Sequence, residues 1–132
     1  MTRRNISSGG PWEEAVGYSR AVRVGSLIEV AGTTAVDEKG EVVGPDDPYA
    51  QARYALEKIG RALVSAGAGF ENVIRTRMFV TDISRWEEVG RAHGEVFRDI
   101  RPASTLVQVA SLVRPGLLVE IEATAVVPEG SL

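Results

Sequence analysis

Residues 73–80 read Val73-Ile74-Arg75-Thr76-Arg77-Met78-Phe79-Val80, an apolar run broken by two arginines spaced two apart. Successive side chains of a strand point to opposite faces. Ile74, Thr76, Met78 and Val80 therefore share one expected face, and Val73, Arg75, Arg77 and Phe79 share the other. This alternation predicts a strand with one core face and one charged face. Upstream, Asp47-Pro48 has the form of a helix start, Asp accepting from free backbone N–H groups and Pro lacking the N–H that would go unpaired. Ala52, Ala55, Leu56, Ile59, Ala62, Leu63 and Ala66 follow at three- and four-residue spacing, and Gly67 ends the pattern. Downstream, Ser84-Arg85-Trp86-Glu87 has capping-box spacing, and Trp86, Val89, His93, Val96 and Phe97 form a second helical stripe ending before Arg101-Pro102.

Further out, Ser104 to Ala110 and Val119 to Ala125 alternate as two closing strands. Ser19 to Val24 and Leu27 to Thr33 form β-rich runs joined by Gly25-Ser26, a connection suited to a tight hairpin. Val36 to Val43 reads as a short exposed hairpin with Gly40 at its turn. Residues 1–17 carry neither periodicity and read as an irregular N-terminal arm. The order β-β-α-β-α-β-β predicts an α+β fold: one domain over residues 1–132, a mixed sheet, and two helices on one face. The uncovered face is expected to collect Arg75, Arg77, Ser104, Gln108, Glu120 and Glu122 among Val73, Phe79, Leu106 and Val126. Such a mixed patch suits burial between subunits, which predicts a homo-oligomer with a ligand site at the interface.

Composition narrows the chemistry. The length suits one domain, and a net charge of −3 lacks the basic footprint of a DNA-binding protein. No apolar run reaches the ~18–20 residues of a membrane span, so no membrane partner and a cytoplasmic location are expected. The absence of Cys and a single His, His93, exclude disulfides, thiolate zinc, iron–sulfur clusters and a histidine-rich metal site. Of the 15 cationic side chains only Lys39 and Lys58 are Lys, and arginine grips carboxylates in bidentate fashion, which keeps small acids in play as ligands.

Several constellations compete for a catalytic role. Gly17-Tyr18-Ser19-Arg20-Ala21 has the outline of a nucleophile elbow, with Asp82 and His93 following in hydrolase order. Ser19 opens a strand-like run, however, and His93 lies on a helical stripe, so a core or interface histidine is the better expectation. Gly67-Ala68-Gly69 ends a helix rather than opening one, and Asp46-Asp47 and Glu87-Glu88 suit helix starts. Glu120 and Glu122 point the same way on one strand, toward Arg75 and Arg77. Spacing alone leaves both an ion-pair ladder and an acid that handles protons beside an arginine that holds an anion.

Gly17-Tyr18-Ser19-Arg20-Ala21-Val22, Val30-Ala31-Gly32-Thr33, Phe79-Val80-Thr81-Asp82-Ile83, Arg101-Pro102-Ala103-Ser104-Thr105 and Val119-Glu120-Ile121-Glu122-Ala123 together resemble the RidA family, also called YjgF or endoribonuclease L-PSP. The resemblance runs from about Tyr18 to Val127. It implies a chorismate-mutase-like fold, a homotrimer with clefts between subunits, and cofactor-free hydrolysis of imines or enamines of small keto or imino acids. It further implies Tyr18 as a cleft residue, Gly32 and Leu106 as backbone contributors and Glu120 as the proton-handling acid. Ser104 stands where the family carries a carboxylate-binding arginine, which implies an altered substrate range, with Arg101 or Arg77 as candidate replacements for the charge. A noncatalytic ligand-binding trimer is the alternative. Ribonuclease action, suggested by the older family name, is disfavoured by the acidic balance and the lack of a histidine pair or metal cluster.

Overall fold

The computed structural model describes residues 1–128; the last four positions of the 1–132 domain expectation, 129–132, lie outside the described residues. Six strands form one sheet: β1 (Arg3–Ile6), β2 (Ala21–Val24), β3 (Leu27–Thr34), β4 (Val73–Val80), β5 (Ala103–Gln108) and β6 (Val119–Val126). Their order is β1-β2-β3-β6-β4-β5, antiparallel throughout except for the parallel β4–β5 pair. The helices are α1 (Pro11–Val16), α2 (Pro48–Ser65) and α3 (Trp86–Phe97). The expected mixed sheet stands, with α2 packed on β3 and β6 and against α3.

The expected stripe of α2 is the buried one: Ala52, Ala55, Leu56, Ile59, Ala62 and Leu63. They meet Ile28, Val30, Met78, Val80, Val119, Ile121, Ala123 and Ala125 from the sheet and Val89, Ala92 and Phe97 from α3. Asp47 caps α2 by accepting from the Ala50 N–H at 3.0 Å. Gln51 is the buried polar member of this helix: its amide donates to the Gly44 and Gly116 carbonyls and accepts from the Leu118 N–H, at 2.8–3.2 Å. One side chain thereby ties two loops to the helix.

Four local expectations change. Residues 1–17 are not irregular, because β1 pairs with the free edge of β2 and α1 follows it. Within that segment the Glu13 carboxylate accepts from Ser8 and Gly10. A four-residue polar edge strand carries no alternation of its own and gains its order from its neighbour. The second helix is entered differently: Asp82, not Ser84, accepts from the Ser84 N–H and caps a short 3-10 turn, Ile83–Arg85, ahead of α3. Trp86 consequently lies half exposed rather than on the core stripe.

In β4, Val73 pairs with Ala125 and Arg75 with Thr124, so Ile74 is an extra residue in a bulge. Val73 is thereby buried on the helix side and Ile74 is 52 % exposed. The last change concerns β5. Ser104, Leu106 and Gln108 pair with Thr76, Met78 and Val80, the core face of β4, so these three point to the helix side and not to the open face. Ala103, Thr105 and Val107 stand beside Arg75, Arg77 and Phe79 on the open face instead.

Candidate functional site

Glu120 lies on β6 between Val119 and Ile121, both fully buried, so its own side chain points to the open face beside Phe79 and Thr34. Its partner strand β3 is irregular between Val30 and Thr33, where Ala31 and Gly32 break the register. Gly32 has no Cβ, and the Glu120 carboxylate occupies the place a Cβ would take. The bulge is also held by Arg20, the residue before β2. Its Nη1 donates to the Gly32 carbonyl at 2.8 Å and to the Thr33 hydroxyl at 2.9 Å, and its Nη2 donates to the Tyr18 hydroxyl at 3.3 Å. The guanidinium carbon lies 5.6 Å from the centre of the Tyr18 ring, within cation–π range.

Electrostatics mark the same cluster. Burial pushes the Glu120 carboxyl above the ordinary carboxylate range, the Glu122 charge adds to this, and the Arg20 charge opposes it. Among the described residues Glu120 enters no ion pair. Glu122 pairs with Arg77 at 3.4 Å, and Arg75 donates to the Thr105 hydroxyl at 2.7 Å. The expected ladder therefore contains Glu122 and Arg77 but leaves Glu120 out. Lys58 of α2 donates to the Thr34 and Val36 carbonyls next to the bulge, and burial, with the Arg20 and Arg61 charges, lowers it to about 8.

The remaining expected site residues lie elsewhere. Ser104 accepts from the Thr76 hydroxyl at 2.8 Å, and Thr76 also bonds His93 Nε2 at 2.8 Å. A hydroxyl has one proton, so with Thr76 donating to Ser104 the His93 Nε2–H supplies the second bond. Burial holds His93 below its ordinary value, and its ring lies against Phe97, as expected of a core histidine. The triad is absent as a unit: Ser19 accepts from Asn5, Asp82 caps its turn and His93 bonds Thr76. Leu106 packs against the core. Arg101 has a positive φ of 58° and, with His93, Arg98 and Pro102, lines an open groove of about 340 Å³ at the β5 edge.

One chain thus carries two separate groups. Gly32 and Glu120 meet at the central β3–β6 pair, with Tyr18 joined to them through Arg20, whereas Ser104, Leu106 and Arg101 belong to the β5 edge. Strand order places β5 three spacings from β3, roughly 14 Å at ~4.8 Å per strand. Ser104 also points to the other face of the sheet from Glu120. Arg77 lies between the groups, bound to Glu122. Arg20 and Lys58 are site residues that the sequence reading passed over. The signal for Arg20 was present, since it lies within the quoted Tyr18 motif; nothing in a helical stripe marks Lys58.

Comparison with known proteins connects this geometry to a family. Residues 11–127 match the endoribonuclease L-PSP family. Rv2704 of Mycobacterium tuberculosis, of the YjgF/YER057c/UK114 family, is 53 % identical in a crystal structure with a TM-score of 0.87, covering 96 % of this chain and 100 % of that one. The 2-iminobutanoate/2-iminopropanoate deaminase of Mus musculus is 35 % identical over 83 % of this chain and 80 % of its own length. The 3-aminoacrylate deaminase RutC of Acinetobacter baylyi is 34 % identical over 82 % of this chain and 85 % of its own. With a match that spans both the Gly32–Glu120 cluster and the β5 edge, the chain belongs to the endoribonuclease L-PSP family, the RidA/YjgF family that its motifs resemble.

Proposed function

We propose that this protein is a deaminase of small imine or enamine metabolites, with Glu120 as its proton-handling acid. The observation that carries this reading is Glu120 itself: a half-buried carboxylate seated against Gly32, outside any ion pair among the described residues and held above the ordinary carboxylate range by burial. The two deaminase relatives support the reaction class. In the proposed step a water oxygen bonds to the imine carbon while the C=N electron pair moves to nitrogen. Glu120 takes a proton from that water and passes it to the nitrogen. Glu120 then relays the hydroxyl proton to the nitrogen as the carbon–nitrogen bond breaks and the hydroxyl oxygen becomes a carbonyl, releasing ammonia and a keto product. The atoms balance with water alone, so the reading calls for no cofactor and no metal.

The site is proposed to lie between copies of the chain in a homotrimer, with Tyr18, Gly32 and Glu120 from one copy facing Arg101 and the edge-strand backbone at Ser104 and Leu106 from another. The separation of the two groups within one chain supports this arrangement. Arg77, through its bond to Glu122, steadies the strand beside Glu120. Ser104 is spent on the Thr76–His93 chain and carries no charge, which supports a substrate range different from that of a site with arginine there.

The test is ammonia release from 2-iminobutanoate generated in situ. Wild type is expected to accelerate it, and Glu120→Gln to lose about 10²–10⁴-fold, the usual weight of a general acid–base group. Wild type without activity on this and bulkier imines, but with measurable keto-acid binding, would instead select the noncatalytic ligand-binding reading.

A further inference from the structure

We propose that Arg20 holds the substrate's carboxylate, as a fork formed by Nε–H and Nη2–H beside the Gly32 bulge. The inference rests on the deaminase reading and names the anionic half of its substrate. A guanidinium carries five N–H donors. In Arg20, Nη1 is committed to Gly32 and Thr33, with Ala31 O at a longer 3.5 Å, and one Nη2–H reaches Tyr18. Nε is buried and has no acceptor among the described residues. The uncommitted donors are thus Nε–H and the second Nη2–H, the pair that meets a carboxylate in bidentate geometry. A buried charged donor without an acceptor is a position that an incoming anion would complete.

Three cations close to the sheet have partners of their own. Arg77 is paired with Glu122, Arg75 with Thr105, and Lys58 with two carbonyls. Arg98 and Arg101 line the groove at the β5 edge, more than two strands from Gly32. Arg20 contacts the same bulge into which Glu120 fits, so an acid bound to it would present its neighbouring carbon to Glu120. The Nη1 bonds pre-orient the fork, and in this proposal the Tyr18 ring, held to the guanidinium by the 3.3 Å contact and by cation–π stacking, shifts to admit the ligand.

The test uses the product-like acid 2-oxobutanoate and its neutral amide, titrated into the intact protein by calorimetry. Wild type is expected to favour the acid by about ten- to hundredfold, the weight of a charge-assisted pair. Arg20→Gln should erase that preference, and Arg20→Lys, which keeps the charge but not the fork, should retain only part of it; the lysine variant carries the test where glutamine disturbs folding. Arg98→Gln should leave the preference intact. No preference in wild type, full preference in Arg20→Gln or Arg20→Lys, or its loss in Arg101→Gln alone would overturn the proposal. An intact, Arg20-dependent preference without ammonia release would overturn the deaminase reading and leave this one standing.

Discussion

A carboxyl group in water loses its proton near pH 4–5, and three neighbours alter that balance at Glu120. Burial and the Glu122 charge favour the protonated form, and Arg20 favours the ionised one. The net shift is upward, so this residue's contribution to stability is fully present below the unfolded value and is lost as pH rises through the folded value. Near neutral pH the ionised carboxylate is therefore a local burden on the fold. Glu120→Gln should melt slightly higher than wild type at pH 7, with the difference vanishing near pH 4, while turnover falls; scanning calorimetry at the two pH values checks the sign. Removing the opposing charge in Arg20→Gln should move the acid limb of kcat/KM to higher pH. Gly32→Ala tests the same contact sterically, because its methyl would displace the Glu120 carboxylate. Loss of kcat with little change in melting temperature is expected; unchanged kcat would refute the importance of that contact.

At the scale of elements, Gln51 shows how a helix positions loops that have no regular structure. Its amide satisfies two carbonyls and one N–H in segments far apart in sequence. Gln51→Ala leaves these buried groups unpaired and should cost about 2–3 kcal/mol, which corresponds to a fall of roughly 10 °C in melting temperature. A shift within 2 °C, roughly the effect of a surface substitution, would show that water replaces the amide. The strands carry a parallel lesson. Alternation in Val73 to Val80 correctly marks a strand, yet the bulge at Ile74 reverses the facing of its first residues. In Ala103 to Gln108 both alternating sets contain polar residues, so the phase is undetermined until pairing with β4 sets it.

The whole molecule presents an open sheet face with Arg75, Arg77, Phe79, Glu122 and Val107, and two separate half-sites, one at the central β3–β6 pair and one at the β5 edge. Light scattering on the purified protein is expected to give three times the chain mass. If each cleft draws on two copies, Glu120→Gln and Arg101→Glu, the latter on the open groove at the β5 edge, disable different halves of it. Both variants should be inactive alone, and co-refolded mixtures should recover about a quarter of the wild-type rate by random assembly. No recovery from a mixed trimer would place both halves in one chain.

Much of the architecture was legible in the residues themselves. Helical stripes, caps and period-two runs report which face of each element seeks a core, so the α2 and hairpin readings and the mixed sheet followed from local pattern. Family motifs singled out Tyr18, Gly32 and Glu120, and the fold brings these together. Pairing between distant strands decided the rest: the order of β1, the Ile74 bulge, the inward turn of Ser104 and the convergence of Arg20 on Gly32. A side chain's type is local information, whereas its partner, its burial and therefore its charge state depend on which strand the chain lays beside it.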